Sequence, residues 1–162
     1  MTAWPVPVRI VGVGSPNGDD ALAWEVIRKL RGLLEAQDGM ELHAVEGGQR
    51  ILDVLDGQGT LVLIDALAPA QQAGTISRFT WPDDRFEAMC PPSTHHLQPV
   101  EALKLAETLG LLPSRVEIFG IEAEQMNPTG GLSPPVAMAV PRLVNLILNE
   151  LKIAVAADLK SA

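Results

Sequence analysis

The chain has 162 residues, enough for one domain with a core of its own, and we treat residues 1–162 as a single domain. Hydrophobic residues make up 47% of the sequence and aromatic residues only 4%, so aliphatic side chains must fill the core. The formal net charge of −8 disfavours electrostatic binding of nucleic acid or anionic lipid, and the single cysteine excludes an internal disulfide and a Cys-x-x-Cys motif.

Hydrophobic periodicity predicts strands that alternate with helices. Strands are predicted at Val6–Val13, Met40–Val45, Thr60–Ile64, Gly74–Trp81 and Ser114–Gly120, and helices at Ala21–Glu35, Arg50–Leu55, Pro99–Leu109 and Val136 to about Leu151. The segments Met89–Thr94 and Glu122–Gly131 are predicted loops, Ser133 is a predicted N-cap, and the tail after Ala154 is expected to fray.

The order of these elements predicts an α/β fold. Thr60–Ile64 is the most continuous apolar run and is expected to form a central strand, buried on both faces. Gly74–Trp81 is expected to be antiparallel or at an edge, because its connection is too short for a crossover helix. We therefore predict a three-layer α/β/α sandwich with a five-stranded, mostly parallel sheet.

The N-terminus lacks the basic start and apolar stretch of a signal peptide, and Pro141 and Arg142 interrupt the longest apolar region. We expect a cytoplasmic protein with no membrane segment, and a monomer rather than an oligomer. Its partners are expected to be proteins or cations.

Two adjacent acids, Asp19 and Asp20, follow the first predicted strand and its glycine-rich turn. A turn of this kind before a helix often binds phosphate, but two carboxylates there would repel an anion and favour a cation. A dinucleotide-binding motif is also disfavoured, since its third glycine would fall at Asn17. The simpler interpretation makes Asp19 an N-cap and Asp20 a partner of the helix dipole.

A third acid, Asp65, ends the apolar central strand, where ionisation needs a hydrogen bond, water or a cation to offset desolvation. Taken alone, it could equally be a loop-capping residue. Parallel strands end at the same edge of a sheet, however, and this predicts that Asp20 and Asp65 lie together.

The histidine pair His95-His96 follows a proline-containing loop. Neighbouring side chains in an extended segment point in opposite directions, so only one is expected to face a site. One histidine with two carboxylates suits nickel, zinc or cadmium better than calcium. A Cys90–histidine nucleophile is disfavoured because no orienting acid or amide accompanies it, and His43 is interpreted as structural.

These segments resemble the hydrogenase maturation protease family, which processes nickel–iron hydrogenases. The resemblance rests on five segments in order: Gly12-Val-Gly-Ser-Pro-Asn-Gly-Asp-Asp20, Leu61-Val-Leu-Ile-Asp-Ala66, Ser93-Thr-His-His-Leu97, Gly120-Ile-Glu122 and Gly131-Leu-Ser-Pro-Pro-Val136. Ser15 stands where the family normally has asparagine, and Ala21 where it normally has glycine.

The resemblance implies that Asp20, Asp65 and His95 contact metal and form the catalytic site, with His96 as the competing histidine. Gly47-Gly48 matches a glycine turn beside this cleft. The implied partner is the hydrogenase large-subunit precursor, which supplies nickel and loses a C-terminal extension; zinc or cadmium would occupy the site in vitro. Two alternatives stay open: an aspartate as general base in place of metal-activated water, and a non-catalytic metal-binding or chaperone protein on the same fold.

Overall fold

The computed structural model describes residues 4–34, 36–90, 97–124 and 130–161, with side chains as far as Leu151. Its centre is a five-stranded sheet in the order β2-β1-β3-β5-β4. The strands are β1 (Val8–Val13), β2 (Met40–Val45), β3 (Thr60–Leu67), β4 (Ile76–Thr80) and β5 (Arg115–Glu122). The helices are α1 (Leu22–Leu34), α2 (Asp84–Met89), α3 (Pro99–Thr108) and α4 (Pro134–Ser161), with 3-10 helices at Gly18–Ala21 and Gly48–Val54.

The sheet has the predicted mixture of strand directions. Strands β2, β1, β3 and β5 run parallel, and β4 pairs antiparallel with β5 at the edge. All eight residues of β3 are buried, so the apolar run forms the central strand, as predicted. The four parallel strands end on one side of the sheet, which we call the carboxyl edge.

Two layers of helices cover the sheet. Helices α1 and α4 pack on one face, where their aliphatic side chains join those of β1 and β3 in one core cluster. The Gly48–Val54 helix, α2 and α3 contribute to a second cluster on the other face. The predicted three-layer α/β/α architecture is therefore confirmed.

The ends of one strand and one helix, and the type of another helix, differ from the sequence prediction. Strand β3 continues to Leu67, so Asp65 lies within the strand and not at its end. Helix α4 continues to Ser161, beyond the predicted end near Leu151, while the fraying of the tail stays a prediction. The predicted helix at Arg50–Leu55 is a 3-10 helix, Gly48–Val54.

Helix α2 has no counterpart in the sequence prediction. It is six residues long and buries only Phe86, so it carries almost no helical periodicity. Its start is marked by Asp83, whose side chain accepts a hydrogen bond from the Arg85 backbone N–H at 2.8 Å. The predicted loop Met89–Thr94 overlaps the end of this helix and otherwise lies mostly outside the described residues.

None of the described helices combines the length and the apolar character needed to cross a bilayer.

The spacing of β1 and α1 depends on Gly12. A Cβ atom there would lie 2.7 Å from Ile27 Cγ1 and 2.8 Å from the Ala23 carbonyl oxygen. Gly12→Ala is expected to lower the free energy of unfolding by about 1–3 kcal/mol, because the helix must shift. Gly32→Ala is the matched control: a Cβ there meets nothing within 4 Å, and alanine in a helix gains about 0.5–1 kcal/mol. Urea titration measures both, and an equal effect of the two changes would contradict the close packing at Gly12.

Candidate active site

The acidic turn, residues Gly18–Ala21, follows β1 at the carboxyl edge. The chain folds back tightly there, since a Cβ atom at Gly14 would lie 2.1 Å from the Asp20 carbonyl oxygen. The Ser15 N–H donates to that oxygen at 3.3 Å, and the Asp20 N–H donates to the Asn17 carbonyl at 3.2 Å. Glycine at position 14 is therefore required for the position of the Asp20 backbone.

Asp65 is a buried acid in the central strand. It pairs in register with Gly120 of β5 and is only 6% exposed. The Ala66 N–H donates to its Oδ1 atom at 2.9 Å. Burial raises the pKa of Asp65 well above its ordinary value and the negative charge of Asp20 raises it further, while the Ala66 hydrogen bond lowers it.

The structure thus brings Asp20 and Asp65 within electrostatic reach of each other. The negative charge of Asp20 beside a low-dielectric interior disfavours ionisation of Asp65, so Asp65 retains a proton to a higher pH than an exposed aspartate. A cation placed against the pair would reverse this effect, because it stabilises both ionised carboxylates.

Asp19 differs from its neighbour Asp20 in both environment and partners. It is 3% exposed, and its Oδ1 atom accepts the Ser133 N–H at 2.7 Å. Its Oδ2 atom accepts the Glu124 N–H at 2.9 Å and the Ser133 hydroxyl at 2.8 Å. The N-cap interpretation of Asp19 is therefore wrong, since Asn17 occupies that position and the Asp19 carboxylate bonds the chain before α4.

His95 and His96 lie outside the described residues, but the chain on both sides of their segment is fixed at the carboxyl edge. The Met89 carbonyl accepts a hydrogen bond from the Ala68 N–H just after β3, at 2.8 Å. The Leu97 carbonyl accepts one from the Gly48 N–H after β2, also at 2.8 Å. A Cβ atom at Gly48 would lie 2.4 Å from that Leu97 oxygen, so glycine permits this contact.

Cys90 lies within electrostatic reach of Asp65, and its surroundings are those of an unreactive thiol. Burial and then the negative charge of Asp65 raise the pKa of Cys90 to about 12, against a weaker opposing effect of the Val100 N–H. A thiol nucleophile needs the opposite shift, which a nearby cation or helix N-terminus would provide. The local electrostatics therefore disfavour a cysteine–histidine nucleophile.

The described part of the chain holds no group of three or more histidine, cysteine, aspartate or glutamate side chains that could bind a metal ion. Asp20 and Asp65 are two hard oxygen donors, which by themselves are fewer ligands than a divalent metal ion usually takes from its surroundings. His43 lies within β2, where its Nε2 atom is 3.4 Å from Glu41 Oε1.

The chain is similar to known hydrogenase maturation proteases. The family model for HycI hydrogenase maturation protease matches residues 25–150. The hydrogenase-maturating endopeptidase HybD from Escherichia coli has a similar structure, with a TM-score of 0.73, 21% identity, and 91% of this chain and 93% of that chain covered. The HybD protease from Thermococcus kodakarensis gives a TM-score of 0.67 at 20% identity, with 88% and 97% covered. No curated protein sequence matches significantly.

The raised pKa of Asp65 predicts a pH-dependent stability. The folded state binds the proton more tightly than the unfolded state, whose ordinary aspartate pKa is about 3.9. The contribution of Asp65 to stability is therefore greatest in acid and is lost as pH rises through the raised pKa. An asparagine side chain cannot titrate. The melting temperature of Asp65→Asn is therefore expected to exceed that of wild type, by a difference that grows from about pH 4 to about pH 8 when chelator is present.

Asp56→Asn is the control, because the pKa of Asp56 is shifted in the opposite direction and the expected change in stability has the opposite sign. Arg9 donates to both Asp56 oxygens, at 2.6 and 3.1 Å, and lowers the pKa of Asp56. That substitution is expected to destabilise the protein at neutral pH, with an effect that fades in acid. A difference between wild type and Asp65→Asn that does not change with pH would contradict the environment described for Asp65.

The single cysteine offers a direct check on its protonation state. Because its pKa is raised to about 12, Cys90 is expected to react with iodoacetamide near pH 8 much more slowly than a free thiol in the unfolded chain. Mass spectrometry of the intact protein, with and without urea, measures both rates. Equal rates in the folded and unfolded protein would show that the thiol is exposed and ionises normally.

Proposed function

Since the chain belongs to the hydrogenase maturation protease family, we propose that it is a processing endopeptidase for a nickel–iron hydrogenase large-subunit precursor. It removes the precursor's C-terminal extension after nickel insertion. The observation that carries this proposal is the placement of the buried Asp65 beside Asp20 at the carboxyl edge, where ligands bind in open α/β sheets.

Nickel in the precursor is the recognition element in this proposal. Asp20, Asp65 and His95 contact it, with both carboxylates ionised against its positive charge. A precursor without nickel offers no charge to offset the desolvation of Asp65, and it therefore binds less well. The enzyme consequently acts only on precursor that has received its metal.

The anchored chain on either side of the histidine segment supports the inclusion of His95. Met89 and Leu97 are hydrogen-bonded to residues that follow β3 and β2, which are strands of the parallel sheet that also carries Asp65. The described residues that flank the histidine segment therefore lie at the carboxyl edge, and this supports the proposal that His95 takes part in the site.

Hydrolysis of the peptide bond requires a positioned, activated water molecule. Two routes are consistent with the residues: the substrate's nickel polarises the water or the scissile carbonyl, or a carboxylate takes the proton from the water. Asp65 is a candidate for this proton acceptor, because its raised pKa makes it a stronger base than an ordinary aspartate.

The proposal is tested by incubating the purified protein with nickel-loaded and nickel-free precursor, followed by mass spectrometry of the precursor's C-terminus. Loss of one defined extension from the loaded form alone is expected. Both forms remaining intact, with a cognate precursor whose nickel content has been measured, would contradict the protease assignment and support a non-catalytic metal-binding or chaperone role. Cleavage of both forms at the same rate would contradict recognition through nickel.

Substitution of the proposed contacts gives the residue-level prediction. Asp20→Asn, Asp65→Asn and His95→Ala are each expected to lower the processing rate by about 10²-fold or more, since each removes a ligand or proton acceptor. His96→Ala is expected to weaken processing at most slightly. Asp53→Asn is the acidic control, because Asp53 is exposed and pairs with Arg50 on the surface. Wild-type rates for any of the first three variants would remove that residue from the site.

A further inference from the structure

Asp19 is an acid that the proposed function leaves without a role. Its two carboxylate oxygens accept three hydrogen bonds, and it is 3% exposed. A carboxylate buried to this degree with both oxygens occupied is a poor metal ligand, since coordination would first break hydrogen bonds in a desolvated place. The two adjacent acids therefore cannot act as a matching pair of ligands.

The donors to Asp19 come from two places far along the chain. Glu124 follows the end of β5, and Ser133 immediately precedes α4. The Ser133 carbonyl in turn accepts the Ala137 N–H at 2.8 Å, so Ser133 belongs to the first turn of that helix. A second link joins the same parts of the chain, because the Gly18 N–H donates to the Gly130 carbonyl at 3.2 Å. Asp19 thus ties the acidic turn to a long helix packed on the sheet.

This attachment bears directly on Asp20. The described backbone bonds within the turn are long, with Ser15 N to the Asp20 oxygen at 3.3 Å and Asp20 N to the Asn17 oxygen at 3.2 Å. The shorter bonds that hold the turn are those of Asp19, at 2.7 to 2.9 Å. The position of the Asp20 backbone in this turn therefore depends on the Asp19 carboxylate.

We propose that Asp19 is a positioning residue, whose hydrogen bonds to Ser133 and Glu124 fix the acidic turn so that Asp20 meets the substrate's metal beside Asp65. The inference rests on the proposed function, since it concerns the same site. It gives the two adjacent acids different roles: Asp19 holds the turn, and Asp20 contacts the metal. Displacement of a contacting group by about 1 Å is enough to lower a rate by about 10²-fold.

The test uses changes at both ends of the hydrogen bond. Asp19→Asn weakens the carboxylate's three contacts, and Ser133→Ala removes one donor while the Ser133 backbone N–H remains. Ser133→Thr keeps the hydroxyl and is expected to restore function. Ile147→Val is the stability control, because it trims a fully buried α4 side chain away from these contacts.

Three experiments are carried out on each variant: kinetics on nickel-loaded precursor, which give kcat and KM per folded molecule; calorimetry, which gives the zinc dissociation constant; and urea unfolding, which gives the midpoint. Asp19→Asn and Ser133→Ala are expected to weaken zinc binding and lower kcat/KM by about tenfold or more, with recovery in Ser133→Thr. Ile147→Val is expected to shift the unfolding midpoint and leave both functional quantities unchanged. A purely structural role predicts that Asp19→Asn and Ser133→Ala behave like Ile147→Val, and that result would overturn the inference.

The wild-type arm separates this inference from the proposed function. Wild-type protein that binds zinc but leaves loaded precursor intact would contradict the protease, while the zinc affinities of the variants would still test positioning. Wild-type cleavage with unchanged Asp19→Asn kinetics and zinc affinity would sustain the protease and reject the role of Asp19. Absence of both zinc binding and cleavage in the wild type would reject both.

Discussion

The burial of the Asp65 carboxyl group beside the charge of Asp20 is the constraint on which the site depends. An ionised carboxylate inside a parallel sheet is unfavourable, and a second negative charge makes it more so. The fold nevertheless holds Asp65 in its central strand, surrounded by apolar residues of β3. A cation placed against the two carboxylates would make their ionisation favourable, and the proposed function uses this effect to recognise a metal-bearing precursor.

Close backbone contacts fix the chain segments around Asp20 and Asp65. Gly14 lets the chain return to the Asp20 carbonyl, and Gly48 lets the chain after the histidine segment approach the turn that follows β2. The acidic turn is held from the other side by Asp19 and Ser133. Contacts from several chain segments thus converge on the carboxyl edge, where ligand sites of open α/β sheets form.

The central strand and the closeness of Asp20 and Asp65 can be predicted from the sequence, because both follow from local patterns. The apolar run of β3 predicts the central strand. Because parallel strands end at one edge of a sheet, the sequence also predicts that Asp20 and Asp65 lie close together, as they do in the structure. The same pattern wrongly predicts Asp65 at a strand end, because a charged residue usually terminates an apolar run. Pairing with Gly120 carries the strand on to Leu67.

The parts that sequence reasoning missed depend on long-range or weak signals. Asp19 bonds Glu124 and Ser133, which are 105 and 114 residues away, and no local motif reveals such partners. Helix α2 was missed because one buried side chain gives no periodicity, although Asp83 before it is a capping signal. A search for capping residues before short segments would have found α2, whereas the partners of Asp19 required the fold.

The most direct measurement for the central claim is anomalous diffraction at the zinc absorption edge, from crystals of the wild-type protein grown with zinc. The proposed site predicts one strong peak about 2.0–2.2 Å from an oxygen of Asp20, an oxygen of Asp65 and a ring nitrogen of His95. A zinc ion bound elsewhere, with the Asp20–Asp65 pair uncoordinated at saturating metal, would contradict the claim that these carboxylates form the metal-contacting site.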